Sequence, residues 1–125
     1  MSFDVILQRF SAEPSAQDDD VLQVLEGFIE FREEDWVRLR TVDGEADLYG
    51  VASPLSGLMV NHLSGRAVWE VVFDLARSFG FAVMPVGCPT CVTEEQQIGD
   101  LPPELAGDAI VVSSGAELQR IVEQT

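Results

Sequence analysis

An α+β fold is what this sequence predicts, on three observations. Short runs of alternating apolar and polar residues recur along the chain, and two of them are joined by Asp43-Gly44. Residues 67–79 are apolar at helical spacing on all but one stripe. The strands also come in groups and do not alternate one for one with helices, which separates the pattern from a parallel α/β fold. The expected order is β-α-β-β-β-α-β-β-α, a mixed or antiparallel sheet of five to six strands with three helices mainly on one face. At 125 residues the chain fits one domain, spanning 1–125, able to bury about two-thirds of its unfolded surface.

Phe3, Val5 and Leu7 alternate with Asp4, Ile6 and Gln8, which predicts a strand over residues 2–9. A polar loop follows at 11–17. Asp18, Asp19 and Asp20 then precede Val21, Leu22, Val24, Leu25, Phe28 and Ile29, the spacing of an amphipathic helix that starts at an Asp cap. Gln23, Glu26, Gly27, Glu30 and Glu34 share its other side. Residues 36–42 and 45–51 form the expected hairpin. A two-residue turn at Asp43-Gly44 sets Val42 opposite Glu45, Arg40 opposite Asp47, Leu39 opposite Leu48 and Arg38 opposite Tyr49. Val37, Leu39, Ala46 and Leu48 then face inward, while Trp36, Arg38, Arg40, Glu45, Asp47 and Tyr49 face outward.

Residues 53–57 break the pattern and 58–62 resume it as a short strand. Ser64 is the expected cap of a second helix that runs to Phe79 and is closed by Gly80. A strand follows at 81–86, then a loop-like stretch at 92–107 with one helical turn near 103–105. A last strand is expected at 109–112, and Ser114 caps a terminal helix that turns Leu118, Ile121 and Val122 inward.

Charge narrows the function. Asp and Glu number 22 against seven Arg and no Lys, a formal net charge of −15. Such a chain repels phosphate backbones and anionic membrane surfaces, so neither nucleic acid nor a membrane is an expected partner. An apolar fraction of 46% is too high for a disordered acidic tail. The opening Met1-Ser2-Phe3-Asp4 lacks the basic and apolar regions of a secretory signal, and two cysteines do not make a disulfide framework. The expected location is the cytoplasm.

Cys88-Pro-Thr-Cys91 follows a strand, as redox C-x-x-C pairs do, but only one strand and one helix are expected after it. His62, the sole histidine, could act as a base toward one of these thiols if a carboxylate oriented it. A structural zinc site needs four ligands, and His62 is the one further soft candidate, so no metal is expected. Gly-rich phosphate loops, H-E-x-x-H and G-x-S-x-G are absent. Neither catalytic residues nor a cofactor are expected.

The acids are concentrated. Between Glu13 and Asp35 nine carboxylates stand against one Arg, so 23 residues carry about half of the net charge. Helix capping uses one of Asp18, Asp19 and Asp20, and like charges four residues apart oppose a helix. The concentration therefore suits a partner-binding surface of Asp18, Asp19, Asp20, Glu26, Glu30, Glu33, Glu34 and Asp35, with Trp36 or Tyr49 as an aromatic anchor.

In size, in its opening Met1-Ser2-Phe3-Asp4-Val5-Ile6-Leu7, in element order and in the acidic segment 13–35, the chain resembles the small acidic immunity proteins of bacterial toxin systems. The resemblance implies a cytoplasmic, non-catalytic inhibitor whose partner is a basic toxin or nuclease domain. Two other readings stand beside it: a small thiol or redox protein using Cys88 and Cys91, and a housekeeping domain whose acidity reflects a salty habitat.

Overall fold

The computed structural model describes residues 4–10, 18–51 and 57–124. The expected loop at 11–17 and the break at Ser53–Ser56 lie outside the described residues. The chain is α+β with one mixed sheet. Its elements are β1 (Val5–Arg9), α1 (Asp18–Leu25), β2 (Ile29–Arg32), β3 (Trp36–Arg40), β4 (Glu45–Tyr49), β5 (Gly57–Asn61), α2 (Ala67–Phe79), β6 (Phe81–Pro85), β7 (Cys91–Val92), α3 (Pro103–Ala106), β8 (Ile110–Val111) and α4 (Gly115–Gln124). Short 3-10 turns occupy Glu26–Phe28 and Glu95–Asp100.

The eight strands run β2-β3-β4-β5-β1-β6-β7-β8 across the sheet. All neighbours are antiparallel except β7 and β8, whose parallel pairing is reached by the crossover through α3. Period-two alternation puts Val5, Leu7, Val37, Leu39, Ala46, Leu48, Leu58, Val60, Phe81 and Val83 on one face. There they share a core with Val21 and Leu25 of α1, most of α2, and Leu118 and Val122 of α4. α2 lies at the centre of this layer and buries Trp69 and Phe73 as well as its aliphatic arc. A smaller cluster of Ala82, Val92 and Leu101 sits on the opposite face of β6 and β7, under Phe10, Ile98 and Leu105.

Five expectations need correction. The sheet has eight strands and not five to six: residues 29–32, whose spacing also suits a helix, and the two-residue stretch 91–92 within a loop-like region both pair as strands. Four α-helices and two 3-10 turns replace the three expected helices, the additions lying within 92–107 and at the end of α1. The first helix stops at Leu25 instead of continuing through Glu34: Gly27 interrupts it, and Ile29-Glu30-Phe31-Arg32 alternates as a strand that pairs with β3 through a bulge between Ile29 and Phe31. Glu26, Glu30 and Glu34 therefore never share a helical face.

The hairpin register differs by two residues. Arg40 pairs with Glu45, Leu39 with Ala46, Arg38 with Asp47, Val37 with Leu48 and Trp36 with Tyr49. The loop is Thr41–Gly44, closed by the Thr41 amide on the Gly44 carbonyl at 2.8 Å and by the Thr41 hydroxyl, which accepts from the Gly44 amide at 3.1 Å. A shift of two preserves the pleat, so the inward and outward assignments hold.

Ser64 does not cap α2. Its hydroxyl accepts from the Glu45 amide at 3.1 Å, while its own amide donates to the Glu45 carbonyl at 2.9 Å. The carboxylate at the start of α2 is Asp43, which accepts from the Arg66 amide at 2.8 Å and the Ala67 amide at 3.1 Å. The turn thus supplies a cap to a helix 23 residues away. Gly44 is pressed against this joint, and a Cβ there would collide with the Ser64 carbonyl. The other two caps agree with expectation: Gly80, at φ 72°, ends α2 with its amide on the Ala76 carbonyl, and Ser114 accepts from the Glu117 amide at 3.1 Å.

Asp43 also gives a pH signature. The Arg66 amide first, then the Ala67 amide, hold its carboxyl below the ordinary carboxylate range. A depressed carboxyl stabilises fully above its unfolded pKa and loses that contribution as pH falls through the folded value. Asp43→Ala is expected to lower the thermal midpoint by several degrees at neutral pH. The gap from wild type should close below about pH 4 in circular-dichroism melts, and a gap independent of pH would contradict the cap.

Candidate partner-binding face

The strand residues that alternate away from the helices build the other face of the sheet. Register aligns Trp36 of β3, Tyr49 of β4, Met59 of β5, Ile6 of β1 and Met84 of β6 in one cross-strand row. At the spacing of neighbouring strands it extends roughly 19 Å. Phe31 of the edge strand β2 joins its end, with its ring centroid 5.3 Å from that of Trp36, and Trp36 stacks on Tyr49 at 6.2 Å. Phe31 is 50% exposed, Ile6 and Met59 38% each, and Trp36, Tyr49 and Met84 are half-buried. An apolar row of this length in contact with water is the kind of feature that marks an interaction surface.

A polar row runs beside it. Arg38, Asp47 and Asn61 are register neighbours on β3, β4 and β5, and His62 follows directly. Asp47, only 5% exposed, accepts from Arg38 Nε at 3.0 Å on one oxygen and bonds His62 Nδ1 at 2.9 Å on the other. Burial pushes its carboxyl up, but the hydrogen bonds and charges of Arg38 and His62 outweigh that and hold it below the ordinary range. The same bond to Asp47 raises Arg38, whose guanidinium also lies 5.4 Å from the Trp36 ring centre. His62 has φ 54°, a left-handed backbone uncommon for a residue other than glycine, and so turns its ring to Asp47 as the chain leaves β5. Trp36 Nε1 and Asn61 Oδ1 are buried without hydrogen-bond partners among the described residues.

The acids flank this face at one edge. Glu26, Glu30, Glu33, Glu34 and Asp35 are all exposed along β2 and its two connections; Glu30 adjoins Phe31 and the run Glu33-Glu34-Asp35 leads into Trp36, whereas Glu26 lies in the turn at the other end of β2. Glu30 shares Arg40 with Glu45, at 3.0 and 3.2 Å, a solvent-exposed network worth little to stability. Asp18, Asp19 and Asp20 form the first turn of α1; their side chains lie outside what the structure describes. Trp36 and Tyr49 are thus brought together, and Glu30, Glu33, Glu34 and Asp35 stand on the adjoining strand edge, while Glu26 lies at the far end of β2. Phe31, Met59, Ile6, Met84 and the Arg38-Asp47-His62 cluster were not anticipated. The outward parity of the hairpin held part of that signal, but which strands lie next to it did not show in the chain.

The structure joins His62 to Asp47, while both thiols bond within their own turn: Cys88 Sγ to the Val86 carbonyl at 3.9 Å and Cys91 Sγ to the Pro89 carbonyl at 3.6 Å. Cys91 sits in β7, fully buried. Burial first, then Cys88 and Glu117, push its thiol up to about 11, away from the low values of reactive cysteines. Among the described residues no three His, Cys, Asp or Glu side chains are grouped to hold a metal ion, and no helix is long and apolar enough to cross a membrane.

Two measurements probe these side chains. Cys91 should react with iodoacetamide near pH 8 only after denaturation, and ready labelling of the folded protein would contradict its burial. Removing Arg38 leaves the buried carboxylate with His62 as its one remaining partner in the cluster, whereas removing Asp47 leaves partners that reach water. Asp47→Ala should therefore cost on the order of 1 kcal/mol in urea unfolding and Arg38→Ala more, and the reverse order would refute the cluster as described. No family model, no curated protein and no solved structure matches the chain.

Proposed function

We propose that the chain is a non-catalytic binding protein of the immunity-protein kind, which captures and occludes a basic toxin or nuclease domain. The observation that carries this reading is the juxtaposition, at one edge of the sheet, of four exposed carboxylates, Glu30, Glu33, Glu34 and Asp35, with an aromatic and aliphatic row. Each half has its own task. Carboxylates on the strand edge draw a basic partner in and orient it, which acts mainly on the association rate. Phe31, Trp36, Tyr49 and Met59 then supply the desolvated contact that holds it, because aromatic residues and Met are the types enriched at interface centres.

Buried atoms at Trp36 and Asn61 without a hydrogen-bond partner among the described residues fit a surface kept for a use other than isolated stability. The thiol reading draws less support, since Cys91 is buried with its pKa raised and the Cys88-Cys91 turn leads into a two-residue strand and not a helix.

The test is rescue of growth. Co-expression of the chain with a basic toxin domain encoded beside it should restore growth of a host that the domain arrests. Phe31→Ala with Trp36→Ala should abolish rescue and weaken binding by at least about 2 kcal/mol. Glu33→Lys with Glu34→Lys should slow association and flatten its dependence on salt while the dissociation rate changes less. Rescue that survives both double variants would remove this face from the mechanism.

A further inference from the structure

Beyond the Met84 end of the apolar row, a cleft of about 210 Å³ opens between the end of α2 and the segment that follows β7, and Ala82, on the same face of β6 as Met84, lines it. One side carries Arg9, the last residue of β1 and paired with Phe81 of β6, and Arg77 in the last turn of α2; the other carries Glu94 and Asp100. Phe79, Ala82 and Leu101 provide an apolar floor.

Both sides are braced. Arg9 Nε donates to the Phe79 carbonyl at 3.1 Å and its guanidinium lies 5.3 Å from the Phe81 ring centre. Arg77 lies over Phe73 at 5.5 Å and touches Asp74 at 3.6 Å. Opposite, Gln97 Oε1 accepts from the Thr93 amide, the Thr93 hydroxyl and the Glu94 amide at 2.9, 3.0 and 2.9 Å, while Gln96 Nε2 donates to Glu94 Oε2 at 2.6 Å. Among the described residues no ion pair crosses the cleft.

Two cations facing two anions over an apolar floor complement a molecule that carries the opposite pair of charges. In a chain of net charge −15 the site is a locally neutral island, so a zwitterion enters without the repulsion a simple anion meets. The volume lies below the roughly 300–1,000 Å³ of pockets for drug-sized ligands. We infer that this cleft binds a small zwitterion with an apolar side chain, an aliphatic amino acid or a compound of the same charge pattern. Its carboxylate meets Arg9 and Arg77, and its ammonium meets Glu94 and Asp100.

The test is a titration of the full ¹⁵N-labelled chain with L-leucine, N-acetyl-L-leucine and L-leucinamide, read by amide chemical shifts. L-leucine should give saturable shifts at Gly80 and through residues 93–101. Each blocked compound, and each of the exposed-site variants Arg77→Gln and Asp100→Asn, should bind about tenfold more weakly. Unchanged dispersion in the variant spectra separates lost binding from lost fold. Absence of saturable shifts at tens of millimolar L-leucine overturns the inference, as does equal binding of N-acetyl-L-leucine.

Discussion

The turn between β3 and β4 is clasped to the start of α2, and the rest of the architecture hangs on that joint. Asp43 takes two amides that α2 cannot satisfy internally and sets a negative charge at the positive end of the helix dipole. Gly44 lets the two backbones touch, and Ser64 exchanges two hydrogen bonds with Glu45. These contacts fix where the most buried helix crosses the sheet. They also fix the end of β4, and with it the row on which Asp47 meets Arg38 and His62.

The left-handed turn at His62 belongs to the same constraint. Between Asn61, which pairs in the sheet, and Ser64, which pairs with Glu45, the chain has two residues in which to leave β5 and reach the helix. Leu63 is drawn into the core and His62 is thrown onto the open face, where a buried carboxylate receives its ring. A strained backbone held this way is maintained by the packing around it. The result is a polar cluster that braces the row of Trp36, Tyr49 and Met59 from one side.

The two faces of the sheet divide the work. All three long helices share one core with the inward residues, so the interior does not need the outward row for its burial. Apolar side chains left in water on that row bring the isolated chain little hydrophobic stabilisation, and exposed carboxylates crowded at its edge repel one another. Both features are consistent with a surface completed by another molecule. The acidic edge also discourages β2 from pairing with a second copy of itself, a use of charge on edge strands that needs no partner at all.

Much was legible in the chain alone. Period-two alternation names the inward residues of β3 and β4 correctly, because parity depends on the pleat and not on the partner strand. The apolar arc of α2, the Gly80 stop and the Ser114 cap are likewise local and came through unchanged. What failed was non-local. Residues 26–34 carry helical spacing as well as alternation, and only the presence of β3 alongside decided for a strand. Asp43-Gly44 has the composition of a tight two-residue turn, yet Asp43 finds better partners on a helix more than twenty residues away, and the loop widens to reach them. The candidate face shows the same division: composition determined its charge and its aromatic residues, whereas strand order alone brought Ile6, Met59 and Met84 into line with Trp36. Side-chain character and pleat parity are local properties of a sequence, and neighbourhood across a sheet is settled only when the whole core closes.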